Sequence, residues 1–350
     1  MNRAATLALL PFSGLYGAGV KARLALYQTG ALRTHNLGAP VISVGNITAG
    51  GTGKTPLVEW IARYLASEGR RTSILTRGYG RANPRERVVV SDGKTILADP
   101  EQAGDEPLLL AERLTGQAAV ISDRDRVSAA RWAIENLTSD VFILDDGFQN
   151  LRVARNLNIV TIDATKPWSN GRLLPAGRLR EPRGGLSRAD CIVITRANES
   201  QSIQPLQREI DRFSKGRAVF LSRMKDSGIR PLSNTREPSF KLATPDSVAV
   251  AAFCAIGNPQ SFFSQLRKDG YTLAYTLAFR DHHRYVQSDI DALVKKSIAS
   301  GARALLTTAK DEVKLRSLRF DLPCYVIDIA IEIDGDEDLR RWIDKSLGKN

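Results

Sequence analysis

The chain has 350 residues, of which 43% are hydrophobic and 25% are charged. This length corresponds to about two domains, and this balance argues against a disordered or a fibrous protein. The formal net charge of +12 favours an anionic partner such as nucleic acid, a phosphorylated substrate or an anionic membrane, without choosing among them. The three cysteines lie far apart in apolar runs, so neither a disulfide framework nor a structural zinc site is expected, and a reduced cytoplasmic interior fits best.

Residues 4–20 form an uncharged apolar segment near the N-terminus. The segment is shorter than the ~20 residues that a spanning helix needs, and a proline and three glycines interrupt it. Lys21, Arg23 and Arg33 follow it, and apolar residues flanked by cations are typical of a helix in an anionic membrane interface. We therefore expect residues 1–35 to form a membrane-associated helical segment. The alternatives are a helix packed on its own domain and a secretory signal.

Short apolar runs alternate with helical patterns along the rest of the chain, which predicts an α/β fold with a mostly parallel sheet. In chain order, the predicted elements are a strand at 41–44, a helix around 57–65, a strand at 72–76, a β-hairpin at 88–97, a helix at 108–114, a strand at 118–121, a helix at 126–136, strands at 141–144, 159–162, 191–194 and 248–255, a helix at 260–268, a strand at 271–277, a helix at 288–299, and strands at 304–307 and 325–329. The hairpin is predicted because Asp92-Gly93 suits a tight turn.

A polar stretch from about residue 222 to residue 245 predicts a boundary between two lobes. We expect a P-loop NTPase-type kinase core domain at 36–225, carrying the short hairpin insertion. A smaller C-terminal α/β lobe is expected at 226–350, and the two lobes are expected to form a cleft.

The strongest local signal is a glycine-rich segment that follows the first strand and opens a helix. Its glycines let backbone N–H groups face an anion, and the helix N-terminus adds partial positive charge. Lys54 can reach the β- and γ-phosphates of ATP, and Thr55 can place its hydroxyl on Mg²⁺. The strict pattern begins with glycine, whereas this chain has Thr48 there. The predicted nucleotide contacts are Thr48, Ala49, Gly50, Gly51, Thr52, Gly53, Lys54 and Thr55.

Two adjacent carboxylates, Asp145 and Asp146, directly follow the apolar strand at 141–144. A carboxylate at the end of a buried strand beside a phosphate loop holds Mg²⁺ directly or through water. The sequence predicts a Mg²⁺ site here and leaves open which of the two is the direct ligand.

A kinase also needs a group that takes the proton of the acceptor hydroxyl. Asp105 stands at a loop-to-helix start, and His282 and His283 are two of the three histidines in the chain. A carboxylate hydrogen-bonded to an imidazole is a competent acid–base pair. The alternatives are Asp105 as a helix N-cap and His282 as an ordinary surface or core residue.

In combination, these segments resemble the tetraacyldisaccharide 4'-kinases (lipid A 4'-kinases), in the order of that family and over nearly the whole chain. The matching pieces are Gly45-Asn46, Gly50-Gly51-Thr52-Gly53-Lys54-Thr55-Pro56, Arg77-Gly78-Tyr79-Gly80, Gly104-Asp105-Glu106-Pro107, Asp125-Arg126, Asp145-Asp146-Gly147-Phe148-Gln149, the loop from Leu174 to Pro182, Gly257-Asn258-Pro259, Phe279-Arg280-Asp281-His282 and Thr308-Ala309-Lys310-Asp311.

The resemblance implies transfer of the γ-phosphate of ATP to the 4'-hydroxyl of tetraacyldisaccharide 1-phosphate, with Mg²⁺, in lipid A biosynthesis. It implies a place at the cytoplasmic face of the bacterial inner membrane, held peripherally or by a single N-terminal anchor. The implied partners are the lipid disaccharide 1-phosphate and an anionic membrane surface, with no nucleic acid and no obligate protein partner.

The resemblance also assigns roles. Asp105 is implied as the general base, His282 as its partner and Lys54 as a catalytic residue. The neighbouring His283 leaves the histidine assignment open by one position. The implied metal ligands are Thr55, Asp145, Asp146 and Glu181, and the loop with Arg180 and Glu181 is implied to lie near the phosphates.

Two other classes of function remain. A P-loop switch or maturation ATPase acting on a protein partner is disfavoured because Ala49 stands where the partitioning ATPases carry an extra lysine. A nucleic-acid-binding ATPase would use the arginine-rich stretch from Arg172 to Arg188, but Trp168 is the only nearby aromatic residue for base stacking. A solvated loop, or contact with phosphate or anionic lipid, also explains that stretch. The segment Thr308–Asp311 predicts a helix start with a possible nucleotide contact.

Overall fold

The computed structural model describes residues 3–200, 202–232 and 248–348. Its helices are α1 (Arg3–Ala8), α2 (Leu10–Gln28), α3 (Lys54–Ser67), α4 (Pro100–Ala103), α5 (Asp105–Arg113), α6 (Arg126–Leu137), α7 (Gln204–Ser214), α8 (Pro259–Lys268), α9 (Gln287–Ala299), α10 (Ala309–Leu315) and α11 (Asp336–Ser346). Its strands are β1 (Val41–Gly45), β2 (Thr72–Thr76), β3 (Val88–Ser91), β4 (Ala118–Ser122), β5 (Val141–Asp145), β6 (Leu157–Asp163), β7 (Cys191–Thr195), β8 (Ala218–Pro231), β9 (Val250–Cys254), β10 (Leu273–Ala278), β11 (Ala304–Thr308) and β12 (Cys324–Ile333).

One sheet of twelve strands runs through the molecule in the order β10-β9-β11-β12-β8-β7-β6-β1-β5-β2-β4-β3. Within the described residues, the pairs β3–β4 and β8–β12 are antiparallel and the other neighbours are parallel. The predicted α/β class with a mostly parallel sheet is confirmed. The central strands β1, β2, β4 and β5 are buried along their whole length, as expected where helices cover both faces of a parallel sheet.

Helix α3 fixes the position of the glycine-rich loop. Its side chains Leu57, Ile61 and Leu65 recur at helical spacing and are fully buried against the sheet. Pro56 lies in its first turn, where a missing N–H costs least. The N-terminus of α3 is therefore held at the carboxyl end of β1.

The predicted hairpin is present only in reduced form. Strand β3 pairs antiparallel with β4, and the expected second arm makes a single bridge between Ser91 and Ile96. Asp92 Oδ1 accepts the backbone N–H groups of both Lys94 and Thr95 at 2.8 Å. Because the Asp92 carboxylate caps these two N–H groups, they do not pair with a neighbouring strand, and the second arm of the hairpin does not extend beyond one bridge.

Strand β8 passes through the start of the stretch that the sequence predicts as an interlobe boundary. Its first residues, from Ala218 to Leu221, pair with β7, and the remainder pairs with β12. The sheet is therefore continuous from one half of the chain to the other. Residues 233–245 of the predicted boundary lie outside the described residues, and the division at 225/226 stays a prediction.

Helix α2 packs on the loop between β6 and β7. Ser13 and Gly17 are its buried residues, and they face Leu173, whose backbone O accepts the Ser13 hydroxyl at 3.0 Å. The outer surface of the N-terminal helices exposes Leu7, Phe12 and other large apolar side chains. None of the helices in the described ranges combines the length and the apolarity that crossing a membrane requires.

Candidate active site

The loop between β1 and α3 folds around Asn46 and two left-handed glycines. The Asn46 side-chain amide donates to the Thr48 backbone O at 2.7 Å and to the Thr52 hydroxyl at 2.8 Å. Gly50 and Gly53 have φ of 123° and 77°, values that favour glycine. The loop thus brings its backbone amides to the N-terminus of α3, as an anion site requires.

The glycine-rich loop also holds the arginine-rich loop beside it. The Ala49 N–H donates to the Arg178 backbone O, and the Arg180 N–H donates to the Ile47 backbone O, both at 2.7 Å. The Thr48 hydroxyl donates to the Pro167 backbone O at 3.2 Å. The threonine that stands where the strict motif has glycine is therefore held by a hydrogen bond of its own. This pairing brings Arg180 to the site from far along the chain.

Asp146 is the electrostatic centre of the site. Its carboxylate lies 3.5 Å from Lys54 Nζ and 2.7 Å from the Arg180 guanidinium. Burial opposes its ionisation, but Lys54 and Arg180 outweigh that effect and hold the pKa of Asp146 below its usual value. Asp146 is therefore a permanent carboxylate that organises two cations.

Asp145, the preceding residue, is in a different environment. It is 3% exposed, and its Oδ2 accepts one hydrogen bond, from the Thr76 hydroxyl at 3.1 Å. Burial, together with the nearby carboxylates of Glu106 and Asp146, raises the pKa of Asp145 to about 6. A cation beside Asp145 would offset the free-energy cost of ionising this buried carboxyl.

These residues fit Mg²⁺, which prefers oxygen ligands and keeps phosphate and water oxygens in its shell. Asp145, Asp146 and Thr55 supply such oxygens at the carboxyl end of β5 and the start of α3. No group of three or more His, Cys, Asp or Glu side chains among the described residues is arranged to hold a metal alone.

Glu181 lies next to this centre with both oxygens engaged. Its Oε1 accepts the Gln149 side-chain amide at 2.7 Å, and its Oε2 pairs with Arg188. Gln149 also donates to the Asn46 backbone O at 2.8 Å. Glu181 is thereby held in place beside Asn46 by Gln149 and Arg188.

Asp105 and His282 are brought together from distant parts of the chain. Asp105 is the first residue of α5, and His282 Nδ1 lies 3.4 Å from its Oδ2. Gly104 is the N-cap residue of α5, so the alternative of Asp105 as an N-cap is wrong. His283 Nε2 instead donates to the Asp289 carboxylate at 2.8 Å, and its ring stacks on Phe279.

The sequence does not predict the contacts that Lys310 and Lys314 make in this site. Lys310 Nζ lies 2.8 Å from Glu106 and 3.3 Å from His282 Nε2. Burial opposes the ionisation of Glu106, but Lys310 outweighs it and lowers the pKa of that carboxyl. Both residues lie inside segments already singled out as motifs, which was the available signal. Lys314, which lies 3.4 Å from Asp105, had no such signal.

Two cavities meet at Asp146. The first, of about 400 Å³, is lined by the glycine-rich loop, Glu106, His282 and Lys310. The second, of about 820 Å³, extends towards α2, whose side chains line one wall. The residues that both cavities share are Arg77, Tyr79, Asp146 and Arg180. Asp146 and Arg180 therefore border both cavities.

Comparisons with known proteins agree with this geometry. A family model described as tetraacyldisaccharide-1-P 4'-kinase matches residues 5–348. The tetraacyldisaccharide 4'-kinase of Desulfotalea psychrophila is 41% identical over 317 residues, which are 90% of this chain and 89% of that protein. The enzyme of that name from Geobacter metallireducens is 40% identical over 349 residues, covering 99% of this chain and 100% of that protein. LpxK from Aquifex aeolicus, solved in complex with ATP, matches with a TM-score of 0.75 and 30% identity, covering 98% of this chain and 99% of that one.

Proposed function

This chain belongs to the tetraacyldisaccharide-1-P 4'-kinase family, and from that premise we propose that it transfers the γ-phosphate of ATP to the 4'-hydroxyl of tetraacyldisaccharide 1-phosphate. The observation that carries this proposal is the meeting of two cavities at Asp146 and Arg180. Phosphoryl transfer needs mainly positioning and charge neutralisation. A donor in one cavity and an acceptor in the other would meet beside Lys54, Arg77 and Arg180.

The smaller cavity suits the nucleotide. The backbone amides of the glycine-rich loop and Lys54 face its phosphate end, and the apolar side chains of Ile256, Phe262 and Ile329 line other parts of its wall. Apolar walls with a few polar groups are usual for a purine nucleoside pocket. Thr55, Asp145 and Asp146 would hold Mg²⁺, which offsets phosphate charge when bound. Glu181 would act through its contacts beside them.

Asp105 would accept the proton of the 4'-hydroxyl while the hydroxyl oxygen forms its bond to the γ-phosphorus and the bond to ADP breaks. His282 hydrogen-bonds to this carboxylate and orients it. Asp105 keeps 16% of its side-chain surface exposed, and its partner His282 lines the smaller cavity, so the 4'-hydroxyl would extend from the larger cavity past Asp146 to reach it.

The larger cavity suits the amphiphilic acceptor. Tyr16, Val20 and Leu24 of α2 form an apolar wall, and arginines form much of the rest. The exposed apolar side chains of the N-terminal helices extend outward beside the cationic Lys21 and Arg23. Such a surface fits a helix that lies in an anionic interface. We infer peripheral attachment to the cytoplasmic face of the inner membrane.

A radiolabel transfer assay tests the proposed function. Purified protein receives γ-labelled ATP, Mg²⁺ and tetraacyldisaccharide 1-phosphate in detergent, with Lys54→Ala as the matched control. We expect label in the lipid with the wild type and nearly none with the variant. Hydrolysis of ATP with no labelled lipid would overturn the acceptor assignment. Stimulation of that hydrolysis by a protein rather than by lipid would then favour a P-loop switch or maturation ATPase.

A further inference from the structure

The C-terminal half of the chain supplies a buried ammonium group to the carboxylate at the start of α5. Lys314 Nζ, on α10, lies 3.4 Å from Asp105 Oδ2 and 3.4 Å from Asp311 Oδ1. Only 9% of the Lys314 side chain is exposed. His282 Nδ1 lies 3.4 Å from the same Asp105 oxygen. An imidazole and an ammonium group therefore share one oxygen of the proposed base.

The contacts of His282 assign the roles of its two ring nitrogens. Its Nε2 lies 3.3 Å from Lys310 Nζ, and an ammonium group can only donate. Burial opposes the charge of Lys310, but Glu106 and Asp281 outweigh it and raise the pKa of Lys310, so this donor stays protonated. The Nε2 atom of His282 must then accept, and its ring proton lies on Nδ1, where it is donated to Asp105.

His282 gives Asp105 a hydrogen bond through its ring Nδ1, and a second partner adds a buried positive charge. The charge comes from Lys314, which is held by a fixed counterion. Asp311 is fully buried, and it accepts the Thr308 hydroxyl at 2.7 Å and the Tyr285 hydroxyl at 3.1 Å. Its carboxylate therefore cannot turn away from Lys314 without losing bonds that are costly to leave unmade.

Asp105 responds to both partners. Burial opposes its ionisation, but the His282 hydrogen bond and the Lys314 charge together outweigh burial and lower the pKa of Asp105. The charged and titratable groups around it are His282 from the loop after β10, Lys310 and Lys314 from α10, and Glu106 from its own helix.

We propose that Lys314 is a positioning residue for phosphoryl transfer, which keeps Asp105 ionised and in place beside His282. This proposal rests on the assignment of Asp105 as the general base. Lys314 acts through Asp105 and does not take up a proton in the reaction. Its ion pair joins α10 to α5, so it forms only when the two halves of the chain are packed as they are here.

Kinetics of three variants test the proposal. Lys314→Met removes the charge and keeps the length of the side chain, Lys314→Arg restores the charge, and Lys296→Met is a matched control on the exposed face of α9. At saturating Mg²⁺, we expect Lys314→Met to lower kcat roughly tenfold, with the KM for ATP changed less than about twofold. On the acidic side of the pH profile, the kcat of Lys314→Met should begin to fall at a higher pH than that of the wild type. A carboxylate without its cation binds protons more tightly. Lys314→Arg should recover both properties. A wild-type kcat and pH profile for Lys314→Met, or no recovery with arginine, would overturn the proposal.

A second measurement does not depend on turnover. The chain has three histidines, so their imidazole NMR signals can be assigned with His282→Gln and His283→Gln. In Lys314→Met we expect the His282 imidazole signals to shift, because Asp105 Oδ2 then loses one of its two partners. The Lys296→Met spectrum should match the wild type. An unchanged His282 signal in Lys314→Met would overturn the proposal.

Asp105→Asn separates the two hypotheses. Near wild-type transfer by this variant would overturn the base assignment, on which the role of Lys314 depends. Loss of transfer in Asp105→Asn, together with normal kinetics in Lys314→Met, would instead overturn the role of Lys314 alone. Thermal melting of each variant establishes that a lost rate does not come from unfolding.

Discussion

Asp145 and Asp146 are adjacent in sequence but have opposite ionisation behaviour. Lys54 and Arg180 outweigh burial and lower the pKa of Asp146, whereas burial and the neighbouring carboxylates raise the pKa of Asp145 to about 6. Pairs of titratable groups with separated pKa values divide the tasks of a site. Asp146 therefore stays ionised and pairs with Lys54 and Arg180. Asp145 is the carboxylate whose ionised form a bound metal ion would stabilise more.

The replacement Asp145→Asn should stabilise the metal-free protein. A carboxyl whose pKa is raised in the folded state gives stability below its unfolded pKa, and this stability is lost as pH rises through about 6. We expect Asp145→Asn to raise the Tm by about 2–6 °C at pH 8 without Mg²⁺, and by about half as much at pH 5, which lies between the unfolded and folded pKa values. Calorimetry at both pH values measures this difference. A lower Tm for the variant at pH 8 would contradict the assignment of a buried, uncompensated charge.

The same replacement should abolish the response to metal. In the wild type, added Mg²⁺ and ATP should raise the Tm because ligands that bind only the folded state stabilise it. The Asp145→Asn protein should show a smaller rise and little transfer. An equal rise in both proteins would remove Asp145 from the metal site.

At the scale of residues, the sequence predicts the position of a functional side chain when that residue belongs to a recognisable motif. Lys54, Thr55 and the Asp145-Asp146 pair could be assigned because a loop–helix or strand–loop context fixes where they lie. The pairing of Asp105 with His282 could be expected only through resemblance, since sequence spacing does not show that the two segments meet. Lys314 could not be assigned, because its role follows from the packing of α10 on α5.

At the scale of elements, helix α2 is held by the loop that carries Arg180. The Ser13 hydroxyl donates to the Leu173 backbone O and accepts the Ala176 N–H, both at 3.0 Å. The Tyr16 hydroxyl donates to the Arg180 backbone O at 2.9 Å. Gly17 leaves room for Leu173, since a Cβ there would lie 2.8 Å from its side chain. A helix with an apolar outer face is thus connected to the cation that pairs with Asp146.

The replacement Ser13→Val should weaken catalysis rather than membrane attachment. It leaves the buried Ala176 N–H and the partly buried Leu173 carbonyl of the loop without their partner, which should displace Arg180. We expect kcat to fall about three- to tenfold on detergent-dispersed substrate, with membrane recovery unchanged. Leu15→Ser, at a side chain 72% exposed, is the matched control and should reduce membrane recovery while keeping kcat. Equal effects of the two changes on both readouts would show that α2 is only an attachment segment.

Elements that the sequence did not predict share weak patterns. Helices α7 and α11 each bury only a short apolar stripe, such as Leu206 with Ile210 and Leu339 with Ile343. Strand β8 has many exposed polar residues because much of it pairs at the surface with β12. Periodicity detects buried faces, so elements with little buried surface are found only in the folded structure.

At the scale of the molecule, ion pairs and hydrogen bonds join the N-terminal and C-terminal halves of the chain beside the glycine-rich loop. Arg113 of α5 pairs with Asp328 of β12 at 2.7 Å, and Arg316 of α10 pairs with Glu112. Asn258 donates to Asp163 at 3.2 Å. These contacts join both halves of the chain beside the cavity proposed for the nucleotide, so the position of one half affects the site of the other.

The replacement Gly257→Ala should impair this approach. A Cβ at Gly257 would lie 2.6 Å from the Gly51 backbone N, closer than real Cβ contacts, and backbone on both sides leaves little room to adjust. We expect weaker ATP binding and kcat lowered about tenfold or more, with the Tm within about 2 °C of the wild type because the contact lies at a surface between the halves. Gly19→Ala is the matched control, because its added Cβ meets nothing within 4 Å. Isothermal titration with ATP and the transfer assay measure both effects. Normal ATP affinity and kcat in Gly257→Ala would mean that the two halves work at a greater separation than in this structure.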